Sequence, residues 1–565
     1  MAITAEVGDY PSLNDTDQKE IVWPLANFAK DIWGDIFTSY TFDQQVYEML
    51  VMETEPLKKE VRCLLMEARN ERKIVKQLEF INTIERPGIS YHFKDEIEQQ
   101  LEEIFTTKPP KDCDDLTTTA LQFRLLRQHG FPISCHIFDE FMDTNGKLKN
   151  SLGGDIKGLL SLYEAAQLRT KEDIILEDAL AFATTSLKHA QATLPLTSSS
   201  IGQQVKRALE LPLHKGHERT EVRYYISAYE LEDDSLRNET LLKLAKLDFN
   251  LRQMLHKKEL SELSRRRRDL KLISKHDYAR DRMVECYFWA LGICFEPQHS
   301  KCRILLAKTL EAISIIDDTY DAYGTLGELQ IFTDAIQSWD LKEMDGLPDY
   351  MKSFYKALLD ISEEAEKELA NYKEPSSYAI HCYNDRCKDY CRSEYVEANW
   401  FQKQDLPTFD EYMKVGMVTS CVNLLVTAAS VLMTKSTTKE VFDWLASAPK
   451  IMEPIMLVSR LLNDIASHHA EKERSATGVH CYMNNSNVSE EEAMVKLEEI
   501  VEDAWKDFNE EWIRPTHIPR DILNGFLGVA RLCFVCYKRD LDGYTEPAKL
   551  LKPYIIATLV DPIVI

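Results

Sequence analysis

Glycine is scarce in this chain, at 19 of 565 residues, and proline is barely commoner at 20. Globular proteins use glycine at about 7%, so a turn-rich all-β architecture is disfavoured. Few segments alternate apolar with polar residues, while Leu, Glu, Lys and Ala abound. Helices are expected throughout. Positive charge is also short: 68 Lys and Arg face 93 Asp and Glu, a formal net charge of -25. That argues against a nucleic-acid surface, which is normally basic. An anionic substrate is still permitted, because bound cations invert a local field. No apolar run approaches the ~20 residues of a membrane span, so no membrane association is expected. The first 20 residues carry Glu6, Asp9, Asp15 and Asp17 and lack the apolar stretch of a secretory signal. They are also too acidic for an organelle transit peptide, and a cytoplasmic protein is the expectation. The 13 cysteines are scattered, and the CxxC pair Cys533 and Cys536 has no second pair or His cluster beside it. Buried thiols in a reducing compartment fit this better than a zinc site.

What is present is apolar bulk: 44% hydrophobic and 10% aromatic residues, enough for sizeable cores. The length exceeds one ordinary core and implies two large domains or three small ones. Residues 1–27 read as an irregular N-terminal arm, residues 28–238 as one helical domain and residues 239–565 as a second. Apolar residues recur near the helical period at Leu121, Phe123, Leu125 and Leu126, and at Ile156, Leu159, Leu160, Leu162 and Tyr163. Joints fall at Lys108–Asp115 and Thr197–Ser200. The clearest helices of the second half are Lys301–Ala322 and Ile451–Arg474. Pro454 marks a helix start or a kink in the latter.

The most informative stretch is Asp317-Asp318-Thr319-Tyr320-Asp321, closing the apolar helix that carries Ile304, Leu305, Leu310, Ile313 and Ile316. Asp317 and Asp321 lie four residues apart on one face, where like charges repel by roughly 0.2–0.5 kcal/mol or more. Gly324 is a plausible stop, which sets three carboxylates at the negative end of the helix dipole. Nothing in the local sequence offsets those charges, so the arrangement makes sense if cations sit there. Oxygen ligands without neighbouring His or Cys favour magnesium or manganese over zinc.

A second oxygen-rich face follows. Asn463, Ser467 and Glu471 stand at i, i+4 and i+8, and each step of four advances only about 40° around the axis. An amide, a hydroxyl and a carboxylate on one stripe suit an octahedral magnesium that keeps some water. The neighbours Met456, Leu457, Leu461 and Leu462 point to burial. Basic residues accompany both faces: Arg280-Asp281-Arg282 upstream of Asp317, and Arg460 nearly one turn before Asn463. Guanidinium forks suit diphosphate oxygens, and magnesium binds readily beside substrate phosphates. Together these residues describe a site for an organic diphosphate.

At this point the sequence resembles the plant class I terpene synthase family, most of all its sesquiterpene synthases. The DDxxD triad, the Asn463–Glu471 motif and the upstream Arg-Asp-Arg element occur in the family's order. Tyr278–Trp289, Leu541–Thr545 and Ala120–Gly130 are similar to family segments too, and the likeness runs from Trp33 onward. The resemblance implies an all-α fold with an N-terminal α-barrel-like domain, catalytically silent, and a C-terminal class I terpenoid synthase helical bundle. It implies that Asp317 and Asp321 ligate two magnesium ions and Asn463, Ser467 and Glu471 a third, with manganese as a substitute. Arg280, Arg282 and Arg460 would bind the diphosphate beside these ligands. Trp289, Tyr537 and Tyr544 would line the pocket and stabilise carbocations through their faces, joined by Thr419, Ser420 and Cys421. Glu397 would be an accessory ligand. The implied reaction is ionisation of farnesyl diphosphate to a C15 sesquiterpene and diphosphate by a monomer.

The departures are specific. Where plastid-type monoterpene enzymes carry arginine eight residues before a tryptophan, Trp23-Pro24 precedes Trp33, which favours farnesyl over geranyl diphosphate. Arg265–Arg268 stands where relatives carry tryptophans, and Ser475 where they carry glycine after Arg474. Asp112-Cys113-Asp114-Asp115 spells the DxDD of protonation-initiated cyclases but falls in a Pro-containing joint and reads as coincidence. The alternatives are a monoterpene synthase using geranyl diphosphate and, from another class, an inactive helical protein that binds prenyl diphosphates. Product identity and the terminating step are not legible.

Overall fold

The computed structural model describes residues 25–71, 73–107, 115–192, 199–233, 237–270, 276–371, 377–433, 438–471, 475–513 and 516–565. Trp23, Pro24, Pro109, Pro110, Asp112, Cys113, Asp114, Thr197 and Arg474 lie outside them. The first half runs α1 (Gln44–Asn70), α2 (Ile74–Glu85), α3 (Lys94–Thr106), α4 (Leu116–Gln128), α5 (Ile156–Ala166), α6 (Ile174–Gln191), α7 (Ser200–Glu210), α8 (Glu218–Tyr229) and α9 (Glu239–Leu270). The second continues with α10 (Met283–Ile293), α11 (Ser300–Ala322), α12 (Leu326–Ser338), α13 (Asp349–Leu369), α14 (Ser377–Lys403), α15 (Phe409–Thr419) and α16 (Val422–Val431). After α17 (Lys439–Ala446) come α18 (Met452–Glu471), α19 (Gly478–Ser486), α20 (Glu490–Trp512) and α21 (Arg520–Cys536). A two-rung hairpin, β1 (Tyr537–Lys538) with β2 (Leu541–Asp542), and α22 (Leu551–Ile555) close the order.

Sequence signals account for many of the boundaries. Thr325 with Glu328, Thr408 with Glu411 and Ser489 with Glu492 form capping boxes at α12, α15 and α20, satisfying backbone N–H groups that a helix start leaves open. Asp115 caps α4 by accepting from Thr118 N at 2.9 Å, a structural use for the last residue of the DxDD look-alike. Pro454 falls in the first turn of α18, where a missing N–H removes no helical bond.

Among the described residues two large hydrophobic cores form, with three smaller clusters beside them. One gathers Val61 through Leu126 with Leu162, Leu176 and Ile226; the other is built around α10, α11, α14, α16 and α21. Helix α9 is shared between them, giving Leu241, Leu244 and Phe249 to the first and Leu260 and Leu263 to the second. Trp33 and Phe37, early in the chain, are buried in the second core. The all-α architecture is as expected, except for the small hairpin.

The expectation of no long apolar segment needs correction. Phe409–Val431 reaches a mean hydropathy of 1.4 over a membrane-length window that is 61% buried within the protein. It is broken between α15 and α16 at Cys421, whose φ is +63°. A side chain in the left-handed region ends a helix. The segment packs as two core helices with α11, α14 and α18.

Candidate active site

The C-terminal ends of α11 and α18, the middle of α14, the α15–α16 break and the hairpin surround one cavity of about 140 Å³. Asp317, Asp321, Arg280, Arg460, Asn463 and Glu471 all line it, although 191 residues of sequence separate the outermost of them. So do Trp289, Tyr537 and Tyr544, with Thr419, Ser420 and Cys421 at the helix break and Glu397 and Ser475 beside them. The structure brings nearly every residue singled out by sequence to one place.

The acidic end of α11 is not uncompensated, as the local sequence implied. The Arg280 guanidinium is ion-paired to Asp317 and to Asp318 Oδ1, the latter at 2.8 Å, and its backbone N–H donates to Asp318 Oδ2 at 2.6 Å. Burial alone would discharge Arg280, but Asp318 and Asp317 outweigh it and hold the guanidinium firmly charged. Asp318 is fully buried and committed to Arg280, whereas the Asp317 side chain is one-third exposed. Asp317 and Asp321 therefore face the cavity and Asp318 faces the scaffold. Helix α11 ends at Ala322, and Gly324 N donates to Thr319 O at 2.7 Å to close the last turn.

Helix α18 repeats the pattern. Arg460 is paired with buried Asp464 at 2.9 Å and donates to Asn463 Oδ1. Asp464 also accepts from the Tyr412 hydroxyl at 2.7 Å. The Ser467 hydroxyl lies 2.9 Å from the Asn463 carbonyl oxygen and 2.8 Å from Glu471 Oε2. Ser467, only 2% exposed, is not among the residues that line the cavity, but its hydroxyl touches Asn463 and Glu471, which are.

Opposite stands a wall that sequence reading missed in part. Glu394 and Glu397, one turn apart on α14, both line the cavity. Burial, followed by the charges of Asp317, Glu397 and Asp321, pushes Glu394 well above the carboxylate range. Glu397 is pushed up to about 7 by burial, against the pull of Arg460 and a 2.7 Å hydrogen bond from Thr419 Oγ1. The same-face repulsion argument that flagged Asp317 and Asp321 applies to this i, i+3 pair and would have found Glu394. Tyr390, Tyr412 and Asp542, also in the lining, had no comparable signal.

The donor chemistry fits divalent cations of the hard class: carboxylate, amide and hydroxyl oxygens, with buried carboxylates held in repulsion. Among the described residues no three His, Cys, Asp or Glu side chains converge tightly enough to hold an ion unaided. Magnesium bound through one or two carboxylates, with substrate phosphates and water completing its shell, matches such a set. The remaining wall is apolar, with the Trp289 and Tyr537 rings 6.1 Å apart and Leu310, Ile313 and Leu425 between α11 and α16.

Arg282 is a correction. It is 1% exposed and absent from the cavity lining; its guanidinium donates to the carbonyls of Tyr544, Asp281, Ala29 and Thr545 at 2.8–2.9 Å. With its donors spent on backbone, it straps loops together instead of meeting a ligand. The Arg265–Arg268 run also gains a physical account. Arg265 and Arg268 donate to Thr38 and Tyr40 of the N-terminal segment, Arg266 pairs with Glu364, and Arg267 pairs with Asp281 and Glu311. Four successive arginines thus fasten the end of α9 to its neighbours. Cys533 and Cys536 are buried free thiols, as their apolar setting suggested.

Comparison with known proteins bears on what this cavity does. The metal binding domain of the terpene synthase family matches residues 268–507, and the terpene synthase N-terminal domain matches residues 32–209. A (-)-5-epieremophilene synthase of Salvia miltiorrhiza is 48% identical over 552 residues, covering 97% of this chain and 99% of that one. The chain belongs to the terpene synthase family. It is a lyase acting on a diphosphate, with the function of a sesquiterpene synthase. Among solved structures, limonene synthase with 2-fluorolinalyl diphosphate superposes with a TM-score of 0.88 at 30% identity, covering 96% of this chain and 100% of that one. Isoprene synthase of grey poplar (Populus x canescens), in complex with three Mg2+ ions and dimethylallyl-S-thiolodiphosphate, gives 0.83 at 32%, covering 92% and 99%. Within this terpene synthase the metal-binding match contains Arg280, Asp317, Asp321, Asn463, Ser467 and Glu471, and it ends before the hairpin that carries Tyr537.

Proposed function

We propose that this terpene synthase ionises farnesyl diphosphate and folds the C15 cation into a sesquiterpene inside the α11–α14–α18 cavity. The observation that carries the reading is the division of one cavity into an oxygen-rich, arginine-flanked rim and an aromatic wall. Asp317 and Asp321 on one side, and Asn463, Ser467 and Glu471 on the other, are the residues that would hold divalent cations, three Mg2+ in our reading, with Mn2+ as a substitute. When bound, those cations supply Lewis-acid neutralisation of the leaving diphosphate.

The chain's own residues do the rest. Arg280 and Arg460 present guanidinium donors from opposite elements, which suits two groups of diphosphate oxygens. Asp318 and Asp464, buried behind them, orient the guanidinium planes and keep them charged. Glu394 and Glu397 add carboxyl oxygens near the rim, and burial raises both above the ordinary carboxylate range. Trp289, Tyr537 and Tyr544 turn aromatic surface toward the hydrocarbon, a cation-stabilising wall worth about 2 kcal/mol when desolvated, and one that offers no strong nucleophile. Substrate thus loses its diphosphate at the rim and carries its positive charge toward the rings.

The test is incubation of the purified full chain with geranyl, farnesyl or geranylgeranyl diphosphate, with and without Mg2+. Products are analysed by gas chromatography–mass spectrometry. C15 products appearing only with farnesyl diphosphate and metal are expected. C10 products from geranyl diphosphate alone would shift the assignment to a monoterpene synthase. Saturable binding with no diphosphate release would make the protein an inactive binder.

A further inference from the structure

The Arg280 guanidinium is met by two aromatic rings as well as two carboxylates. Its central carbon lies 5.3 Å from the Tyr544 ring centroid and 5.0 Å from that of Phe28, which comes from the opposite end of the sequence. Phe28 lies outside the hydrophobic core that takes Trp33 and Phe37. The short segment carrying it is nonetheless pinned on the catalytic side of the molecule. Leu25 N donates to Ala322 O at 2.8 Å, one residue past Asp321. Ala29 O accepts from Arg282 at 2.8 Å, and Trp33 Nε1 donates to buried Glu285 at 2.8 Å. Anchors on either side hold residue 28 in place, against an arginine that faces the cavity.

We infer that Phe28 is a positioning residue for the diphosphate grip, setting the plane of Arg280. A guanidinium donates hydrogen bonds within its plane, here to Asp317 and Thr545 Oγ1, while Asp318 Oδ1 is an ion-pair contact at 2.8 Å. A ring against its face attracts it electrostatically without using any of those donors. Tyr544, fixed through its backbone by Arg282, covers part of that surface, and Phe28 adds the contribution of a remote segment. The in-plane N–H groups then remain aimed at the rim, so the N-terminal segment tunes affinity for the diphosphate group through one side chain.

This inference rests on Arg280 as a diphosphate ligand, and the experiment separates the two. In the full chain with Mg2+, Phe28→Ala raises KM for farnesyl diphosphate, and the inhibition constant of inorganic diphosphate, by roughly tenfold. The kcat and the melting temperature change little. Phe28→Tyr restores the wild-type values, whereas Phe28→Leu, apolar but without a π face, behaves like Phe28→Ala. In an Arg280→Lys background the Phe28→Ala effect disappears. If Phe28→Leu matches the wild type, the residue only fills space and the inference is overturned, as it is if the effects of Phe28→Ala and Arg280→Lys are additive. If Arg280→Ala itself leaves KM and inorganic diphosphate inhibition untouched, the assignment of Arg280 falls first. An Arg280 effect with no Phe28→Ala effect removes the positioning role alone.

Discussion

The molecule has a larger cavity than the one assigned to catalysis, and the contrast between them is instructive. Where the two helical regions meet, a cavity of about 470 Å³ is lined by charged groups from α2, α3, α4, α8 and α21. There most of the carboxylates have a cation beside them: His129 lies between Glu85 and Glu98, Lys94 between Glu296 and Asp521, and Arg531 beside Glu218. In the smaller cavity, Asp317, Asp321, Glu394 and Glu397 share one lining; burial and then the charges of Asp317, Glu397 and Asp321 raise Glu394, while burial raises Glu397 against the pull of Arg460. Size does not mark the reactive site; a cluster of carboxylates on facing helices, in which Glu394 is raised by its neighbours' charge with no cation offsetting it first, is the better sign.

The most forceful way to break this comparison is Asp317→Ala. Removal of a metal-binding carboxylate should lower turnover by about 10³-fold or more, the scale of losing a main electrostatic element of a transition state. The fold should survive with an unchanged melting temperature, because the substitution also removes a repelling charge from a partly exposed side chain and leaves Arg280 paired with Asp318. Full activity in the variant would remove Asp317 from the metal site.

The reverse outcome is expected across the molecule. Burial would lower the His129 pKa, but the Glu85 and Glu98 carboxylates outweigh it and raise it to about 9. A histidine raised above its unfolded value of about 6.5 contributes its full stabilisation below that pH and loses it as pH climbs through 9. The amount is on the order of 2 kcal/mol, after allowance for a side chain one-quarter exposed. His129→Gln should therefore destabilise the protein at pH 6 and flatten the loss of stability between pH 6.5 and 9, followed by denaturant melts across pH. Its kcat and KM at neutral pH should match the wild type.

Much of this contrast is legible in the sequence. The helix expected over Lys301–Ala322 spans Ser300–Ala322, and Asp317 with Asp321 and Asn463 with Glu471, each pair set on one helix face by its spacing, line one cavity. Those signals are local: one helix, one face, one repeating period. What escaped notice depends on remote partners. Arg282 reads like Arg280 in sequence, but its direction is set by carbonyls of Ala29, Tyr544 and Thr545. The break at Cys421 is set by tertiary packing in an apolar run that reads as continuous. The hairpin that brings in Tyr537 and Asp542 has two residues per strand, too short for an alternating pattern to register. Compensation of the α11 carboxylates by Arg280 was likewise invisible, being a contact across 37 residues.

A gentler change in the active cavity sharpens the comparison by degree. Glu471→Gln keeps shape and hydrogen bonding toward Ser467 but removes one carboxylate charge from the α18 face. The Mg2+ concentration for half-maximal rate should rise about tenfold, equivalent to about 1.4 kcal/mol, with a smaller change in rate at saturating metal. An unchanged metal titration would take Glu471 out of the ligand set.

The smallest effect is expected where charges are paired and wet. Lys94 bridges Glu296 and Asp521 across the larger cavity, at 3.4 and 3.2 Å, with its side chain 45% exposed. It joins α3 of the first region to the second, so it is the place where the large cavity could influence catalysis if the two were coupled. Exposed pairs of this kind contribute only 0.2–1 kcal/mol, roughly, and less in salt. Lys94→Ala should shift stability within that range, fading at high ionic strength, and leave kcat, KM and the product spectrum unaltered. A change in product ratios without a change in stability would show that the charges of the larger cavity reach the reacting cation, and the division between the two cavities would no longer hold.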